Sequence, residues 1–365
     1  MLLEQQDMKT VTSLSSDVYY QGQYWNNIPQ ILRYICKKFT GDEDRWWIED
    51  FRERYAAQPF KHGLFLNCGD GRWEREFIDK NIVESATAFD ISPDLLKKAE
   101  SLKGERSINY ILADANKIIF KKSSFDLIVN IAALHHVQYI NRLCEILALS
   151  LKSNGYLVSF DYAGPYRNQY SFINWLLIKI INGSLSENIR KPNLGYPHLP
   201  TMLKQDPTEA IHSNLIIKTI YRFFDVIERN DTGGGIAYTI FTHNSRLLDE
   251  RVLELPEVKL NIERVLKLDD ILSKLRIIPN FFSYLIAKPK KDLQIKIKKN
   301  KYLQVIENIR EEYSLKLENS YTIKDYLILM KNCRSRRKRV KMALQYISIS
   351  PVKCFKILRH FLNRR

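Results

Sequence analysis

A polar turn with two glycines is the part of the chain best suited to hold a ligand. It comprises residues 67–71, NCGDG, and the apolar run 64–66 precedes it. Glycines at such a turn let backbone amides approach a ligand closely, and the N-terminus of a following helix favours a carboxylate or phosphate. Asp90 closes the next apolar run, nineteen residues beyond Gly71. A doubly wound fold places an acid against a pair of ribose hydroxyls at this spacing.

Two adjacent histidines are the side chains best suited to accept a proton, because imidazole titrates near neutral pH. His135 and His136 end residues 125–136, FDLIVNIAALHH, which are predicted to form a nearly uninterrupted apolar strand with a polar end. Asp161 and Tyr162, at the end of a later apolar run, face the same crevice and compete for the role. The catalytic candidates are therefore His135, His136 and Asp161.

Alternating strands and helices must position these residues. The predicted parts are a strand at 64–66, a helix at 72–80, strands at 86–89, 109–115 and 125–136, and a segment at 151–161 in which a helix end and an Asn-Gly turn precede another strand. Such alternation implies a parallel sheet with helices on both faces. The carboxyl ends of the strands then form the ligand crevice.

This order of parts resembles the class I S-adenosylmethionine-dependent methyltransferases, in the methyltransferase type 11/12-like branch. The resemblance covers about residues 61–161 and extends weakly to about residue 289. It implies an α/β fold with a doubly wound, seven-stranded, mostly parallel sheet and an antiparallel last strand. It also implies S-adenosyl-L-methionine as the cofactor and no metal.

The resemblance also assigns roles to single residues. Residues 68, 69 and 71 would cradle the methionine part of the cofactor, Asp90 would bind the ribose, and Asp114 with Ala115 would bind the adenine. Asp114 is alternatively a helix N-cap. The Ala-Leu-His-His turn is frequent in this family across unrelated substrates, so its histidines alternatively have a structural role. The full set of expected cofactor contacts is Asn67, Cys68, Gly69, Gly71, Asp90, Ile91, Asp114, Ala115 and Asn130.

The turn departs from the family pattern at two positions. Phe65 stands where the family has an acid, and Asn67 stands where it has the first glycine. Asn tolerates a left-handed backbone better than other non-glycine residues, so the turn can survive. Phe65 cannot replace a carboxylate that helps orient the loop and the methionine amino group. A non-catalytic binding protein with a relic cofactor pocket is therefore an alternative.

Composition indicates two units with separate tasks. The chain has 365 residues and a formal charge of +16. Residues 288–365 contain 22 Lys or Arg and 6 Asp or Glu, while the rest of the chain has 35 of each sign. We predict an N-terminal helical cap at 1–60, a methyltransferase domain at 61–289 with a substrate lid at 163–218, and a basic helical extension at 290–365. The aromatic residues of the cap alternatively form an ordinary core.

The sequence also favours a cytoplasmic location. The N-terminus lacks a basic-then-apolar signal layout, and no apolar run approaches the 18 residues of a membrane span. The cysteines are odd in number and scattered without a Cys-x-x-Cys pair, which fits a reducing cytoplasm and neither a zinc site nor a disulfide framework. They are Cys36, Cys68, Cys144, Cys333 and Cys354.

The leading hypothesis is O-methylation of a small-molecule or glycan-like acceptor. The lid contains the segment 206–210, DPTEA, predicted to start a capped helix, and with the segment 161–165, DYAGP, it resembles a bacterial branch often associated with glycan and secondary-metabolite pathways. An RNA methyltransferase that uses the basic tail is the first alternative. Against it, the chain has no Asn/Asp-Pro-Pro-aromatic motif and no paired catalytic cysteines.

The C-terminal segment 350–364 is a predicted basic amphipathic helix. Its apolar residues recur on one helical face and its Lys and Arg residues lie elsewhere. Three uses remain open for it, namely docking against the catalytic domain, attachment to an anionic membrane surface through residues 330–365, and nucleic-acid binding.

A chain that ends at Pro289 should keep cofactor binding and lose sedimentation with acidic liposomes. Each Lys or Arg near an anionic surface contributes on the order of 1 kcal/mol, screened over a Debye length of about 8–10 Å. The full chain should sediment at low salt and release partly at high salt, and Phe355→Glu with Phe361→Glu should weaken the salt-resistant part. Equal sedimentation of both chains would remove the membrane interpretation, and selective retention on RNA would favour the nucleic-acid alternative.

Overall fold

The structure is a computed structural model that describes residues 24–291. The predicted basic extension, with its amphipathic helix, lies outside the described residues except for 290 and 291, as do residues 1–23. The strands are β1 (Gly63–Phe65), β2 (Ala86–Asp90), β3 (Ile108–Leu112), β4 (Phe125–Ile131), β5 (Leu151–Tyr162), β6 (Phe224–Gly233) and β7 (Phe282–Pro289). The helices are α1 (Pro29–Thr40), α2 (Trp47–Tyr55), α3 (Arg72–Asp79), α4 (Pro93–Leu102), α5 (Ile140–Ser150), α6 (Phe172–Ser184), α7 (Leu199–Gln205), α8 (Ile216–Phe223), α9 (Ala237–Phe241), α10 (Glu250–Glu254) and α11 (Pro256–Lys274).

All of these strands join one sheet in the order β3-β2-β1-β4-β5-β7-β6. The pairs among β1 to β5 are parallel, and β7 runs antiparallel to both β5 and β6. The predicted fold class is confirmed. The chain order reverses between β1 and β4, and in open α/β sheets this switch point is where a ligand crevice opens.

The central strands are buried on both faces, as their apolar sequences require. Successive residues alternate between two apolar layers, since side chains in a strand point to opposite faces. Phe65 enters the layer that contains α1, α2 and α3, whereas Leu64 and Leu66 enter the layer that contains α5 and α8. Residue 65 therefore lies on the same face of the sheet as Phe77 of α3, and their ring centroids are 5.3 Å apart.

The N-terminal helices contribute large aromatic side chains to the first of these layers. Trp47 of α2 is fully buried, with ring centroids 6.0 Å from Phe77 and 5.4 Å from Tyr284 of β7. Trp25 stacks on Phe282 at 5.3 Å. These contacts match the alternative in which the aromatic residues form an ordinary core.

Several element boundaries differ from the sequence prediction. β4 ends at Ile131, because Ala132 has a left-handed backbone (φ 51°), and a short 3-10 turn (Leu134–His136) follows. The predicted helix end and Asn-Gly turn before β5 are wrong, because residues 151–155 are already extended. A Cβ on Gly155 would lie 2.7 Å from the backbone oxygen of Asp126, so glycine allows β5 to approach β4 there. Residues 206–210 form a turn rather than the start of a helix.

The segment after β6 turns around a buried carboxylate. Asp269 of α11 accepts hydrogen bonds from the backbone amides of Gly234 (2.8 Å), Ile236 (2.7 Å) and Ala237 (2.9 Å). A Cβ on Gly233, whose φ is +75°, would lie 2.3 Å from the Asp269 Oδ1 atom. The run of glycines is thus built to fit this carboxylate, and the carboxylate joins β6, α9 and α11.

No helix within residues 24–291 is long and apolar enough to cross a bilayer.

Asp269→Ala should lower the free energy of unfolding by about 3 kcal/mol or more, because three buried amides lose a charged acceptor. The neighbouring Asp270→Ala is the matched control. Asp270 pairs with Lys38 and Lys274 at the partly exposed surface, so its loss should cost about 0–1 kcal/mol. Urea unfolding of both variants measures the difference, and equal losses would contradict the role given to Asp269.

Candidate functional site

The glycine turn places backbone amides around the Asp90 carboxylate. Gly69 N donates to Asp90 Oδ2 at 2.9 Å, and Ser92 N donates to Asp90 Oδ1 at 2.8 Å. The backbone is left-handed at Asn67 (φ 41°) and Gly71 (φ 79°), so asparagine does replace the first glycine of the family pattern. Burial raises the pKa of Asp90, while the amide donors oppose the rise. Each carboxylate oxygen keeps a further acceptor position for a ligand hydroxyl.

Gly71 cannot carry a side chain for two reasons. Its φ of +79° disfavours any residue with a Cβ, and a Cβ there would lie 2.2 Å from the hydroxyl oxygen of Tyr110. Helix α3 begins at the next residue, with Gly71 as its N-cap. The close approach of β3 to this turn is a contact that the sequence did not reveal.

The expected adenine residues lie beyond the end of β3. Asp114 Oδ1 accepts from the backbone N (2.8 Å) and side-chain Nδ2 (3.1 Å) of Asn116, so the carboxylate fixes a turn and caps no helix. Asn116 Oδ1 accepts in turn from the backbone N atoms of residues 138 and 139, just past the histidines. Ala115 is buried and Ile91 is 37% exposed.

A buried carboxylate that the sequence analysis missed lies beside the turn. Glu74 of α3 is fully buried, and neither of its carboxylate oxygens has a hydrogen-bond partner among the described residues. With Phe65, Cys68 and Ile131 it lines a cavity of about 10 Å³, room for about one water. Burial raises the pKa of Glu74 to about 7, although Tyr110 and Arg75 act against the rise.

Glu74 lies close to the position where the family has its acid. Phe65 occupies the expected place of that acid, and Glu74 lines the same cavity from the facing helix. The sequence did contain a signal, because Glu74 shares its helix face with Phe77 and Ile78 at spacings of three and four. A glutamate on a core-facing stripe is unusual and calls for a partner.

Asp161 organises the loop that carries the histidines. Its carboxylate accepts from His135 Nδ1 at 2.6 Å and from the backbone amides of Leu134 (2.8 Å) and Ala133 (3.2 Å). Asn130, expected to contact the cofactor, is fully buried and donates from Nδ2 to Asp161 Oδ2 at 2.9 Å. Both residues are therefore engaged inside the protein, where they hold His135 in place.

The lid places Glu209 and Thr208 beside the two histidines. Glu209 Oε2 lies 3.8 Å from His135 Nε2 and 3.9 Å from His136 Nε2. His136 Nδ1 lies 3.0 Å from the Thr208 hydroxyl. The backbone N of Ile211 donates to the oxygen of His135 at 3.0 Å, which fixes the lid turn against the histidine loop. We name His135, His136 and Glu209 the imidazole–carboxylate cluster.

The two imidazoles differ electrostatically. Burial lowers the pKa of His135, but the Asp161 carboxylate outweighs it and raises the pKa to about 9. Burial lowers the pKa of His136, and the neighbouring His135 lowers it further. Burial acts to raise the pKa of Asp161, yet His135 and the other donors hold it below its usual value. The electrostatics therefore favour the protonated form of His135 and the neutral form of His136.

The glycine turn and the cluster are neighbours. Asn67 Nδ2 donates to the backbone oxygen of Ala133 at 3.2 Å, directly before the histidine turn. Residues 64–159, which include both the turn and the histidines, match the family model described as a methyltransferase domain. The chain contains a class I S-adenosylmethionine-dependent methyltransferase domain. Its cofactor is S-adenosyl-L-methionine.

Two curated relatives are similar in sequence to part of this chain. Mitochondrial arginine-hydroxylase NDUFAF5 of Mus musculus is 32% identical over 108 residues, which are 30% of this chain and 31% of the relative. The Homo sapiens protein of the same name is 30% identical over 105 residues, 29% of this chain and 30% of the relative. The match thus spans about a third of the length of either relative.

Solved methyltransferase structures show weak likeness. Phosphoethanolamine N-methyltransferase 2 of Haemonchus contortus is 15% identical, with a TM-score of 0.43 over 77% of this chain and 61% of that one. A putative sarcosine dimethylglycine methyltransferase of Galdieria sulphuraria is 17% identical, with a TM-score of 0.42 over 66% and 83%. Because both TM-scores are below 0.5, these likenesses do not bear on the function of this chain.

The residues around the turn suit the cofactor of the methyltransferase domain. The cofactor carries a ribose diol, for which Asp90 has further acceptor positions, and a methionine ammonium group, for which the buried Glu74 carboxylate is a matching charge. We expect Glu74 to supply the acid that Phe65 lacks.

Binding of S-adenosylhomocysteine should strengthen as the pH rises from 5.5 to 7.5. The pKa of Glu74 is raised to about 7, so its carboxylate, which an ammonium group requires, forms only as the pH passes that value. Below pH 7 the Kd should increase by up to about tenfold per pH unit. Calorimetry across this pH range measures the slope.

Two variants isolate the contribution of Glu74. Glu74→Gln should weaken binding at pH 7.5 by about 10-fold or more and flatten the slope, leaving any part due to the histidines. Asp90→Ala should weaken binding at every pH with the slope retained. If Glu74→Gln binds with the same Kd and slope as the unchanged chain, Glu74 does not meet the ammonium group.

Proposed function

We propose that the protein transfers the methyl group of S-adenosylmethionine to an oxygen of a small-molecule or glycan-like acceptor. The imidazole–carboxylate cluster is the observation that carries this proposal. It lies next to the cofactor turn, and it combines groups that can remove a proton with a residue of the lid. A hydroxyl acceptor needs such a group, since it arrives protonated.

Each part of the cofactor site has its own task. When bound, the cofactor supplies an electrophilic methyl carbon, which the acceptor oxygen would attack in line with the carbon–sulfur bond, so that S-adenosylhomocysteine leaves. Asp90 would hold the ribose, the turn amides and Glu74 the methionine end, and residues 114 and 115 the adenine. Most of the rate would come from positioning the two reactants.

Within the cluster, geometry favours His136 as the proton acceptor. The side chain of His136 is 17% exposed, compared with 10% for His135, whose ring is locked to the fully engaged Asp161. The Nδ1 atom of His136 lies at the Thr208 hydroxyl, so its Nε2 atom remains on the Glu209 side. His135 and Asp161 then act as positioning residues that fix the loop and its charge.

Arginine hydroxylation is a second candidate function. The curated relatives are named arginine hydroxylases, although the match covers about a third of their length. Two imidazoles and one carboxylate are also the donor set of non-haem Fe(II) oxygenases, which supports this candidate. The reaction would need dioxygen and a two-electron reductant. An arginine peptide that gains one oxygen atom only with iron, dioxygen and ascorbate would favour it.

His136→Gln should lower the rate of methyl transfer by about 10²–10⁴-fold and leave the Kd for S-adenosylhomocysteine unchanged. The assay follows the labelled methyl group over a panel of sugar, lipid-glycan, phenol and RNA acceptors. His198→Gln is the matched control, because His198 is an exposed lid histidine that hydrogen-bonds to Thr201 outside the cluster. Transfer to RNA alone, or equal rates in both variants, would overturn this proposal.

A further inference from the structure

We infer that the imidazole–carboxylate cluster is a binding site for a divalent first-row transition metal ion. His135, His136 and Glu209 each offer one ligand atom, and these atoms all lie within 4.8 Å of one another. Among residues 24–291, no other group of three or more His, Cys, Asp or Glu side chains meets this spacing. The metal ion would bind between the two Nε2 atoms and Glu209 Oε2.

The distances are close to those of an occupied site. Zinc binds imidazole nitrogen at about 2.0–2.1 Å and carboxylate oxygen at about 2.0–2.2 Å, so ligand atoms around a tetrahedral ion lie about 3.4 Å apart. The two nitrogen–oxygen separations are 3.8 and 3.9 Å. An ion would shorten these two nitrogen–oxygen separations by about 0.5 Å, and the two imidazole nitrogens, which lie within 4.8 Å of each other, would also approach.

In each of the three ligand side chains, the polar atom that would not bind the metal already has a hydrogen-bond partner. His135 Nδ1 lies 2.6 Å from Asp161, which matches the carboxylate–histidine–metal arrangement that fixes the tautomer of a metal-binding imidazole. His136 Nδ1 lies 3.0 Å from the Thr208 hydroxyl. Asn168 Nδ2 lies 3.3 Å from Glu209 Oε1, the other oxygen of that carboxylate.

The backbone reinforces this arrangement from the lid side. The buried guanidinium of Arg167 donates to the backbone oxygens of Pro207 and Glu209, and the latter distance is 3.2 Å. Asp206 Oδ1 accepts from the backbone N of Thr208 at 2.8 Å. The turn that carries Glu209 is thus fixed by hydrogen bonds within the lid, in addition to the bond between Ile211 and His135. A site of this kind binds without reorganising the chain.

The donor set selects the kind of metal. Two imidazoles and one carboxylate suit Zn²⁺, Co²⁺ or Fe²⁺, whereas Mg²⁺ and Ca²⁺ prefer oxygen ligands alone. Three protein ligands leave at least one position open, which distinguishes catalytic from structural sites. Glu209 is 31% exposed on its side chain, so solvent or a ligand can reach the cluster from the lid.

What the ion would do rests on the proposed function, whereas its binding does not. An acceptor hydroxyl in the open position would lose its proton more readily, because a bound cation stabilises the oxygen anion, and the proton would pass to the solvent that reaches the cluster past Glu209. The ion would thereby take over the task that His136 performs in the metal-free cluster. The same site could serve the second candidate reaction.

Titration of the tag-free full chain, stripped of metal with a chelator, tests this inference. Co²⁺ should bind once per chain with visible absorption bands of a nitrogen- and oxygen-bound ion, and Zn²⁺ should displace it. Glu209→Gln, His136→Gln and His135→Gln should each weaken binding by 10-fold or more, whereas His198→Gln should not. Mg²⁺ should show no competition.

The partly exposed Glu209→Gln keeps the test decisive if a histidine variant fails to fold. Unchanged binding of S-adenosylhomocysteine in that variant shows an intact domain. Thiolate-to-cobalt absorption, or equal Co²⁺ affinity in Glu209→Gln and the unchanged chain, would place the metal elsewhere and overturn the inference. Because this titration needs no turnover, its failure leaves methyl transfer untouched, and inactive protein with intact metal binding would fault the proposed function instead.

Discussion

The buried carboxylate of Asp161 is the interaction on which the rest of the site depends. It lies at the carboxyl end of β5 and accepts hydrogen bonds from Asn130, His135 and three backbone amides. A buried charge is costly unless it is paired and fully hydrogen-bonded. The loop after β4 must therefore fold back onto Asp161, and that constraint sets where the histidines lie.

A second constraint is the packing of the residues beneath the cofactor turn. A phenylalanine occupies the family's acid position and packs edge-on against Phe77, which strengthens the core beneath the turn. The acid expected to compensate for it, Glu74, lies on α3, which begins directly after Gly71. The aromatic substitution and the buried glutamate are consistent with one exchange, in which charge moves from the strand to the facing helix.

The sequence predicted the sheet, the turn and the position of Asp90 at the end of β2 because these depend on local patterns of apolar residues and glycines. It could not predict Glu209 as a partner of the histidines, because 73 residues separate it from His136 and only the lid's path brings them together. The sequence also placed Asn130 and Asp161 at a crevice, where the structure shows them bonded to one another. Their polarity was evident, but whether they face a ligand or each other depends on packing. At residues 151–155 the backbone is extended although Asn154 and Gly155 favour a turn, and the register of β5 with β4 shifts there.

The lid has a consequence for how such a protein can diversify. The expected cofactor contacts lie within residues 64–131, whereas Glu209, which completes the cluster, and Thr208, which contacts His136, come from an insertion between β5 and β6. Exchanging that insertion for another would remove the carboxylate of the cluster and leave the cofactor turn intact. Under the proposed function, the groups that meet the cofactor and the carboxylate near the acceptor lie in separate stretches of chain, so that new acceptor chemistry can arise by recombination of one without loss of the other.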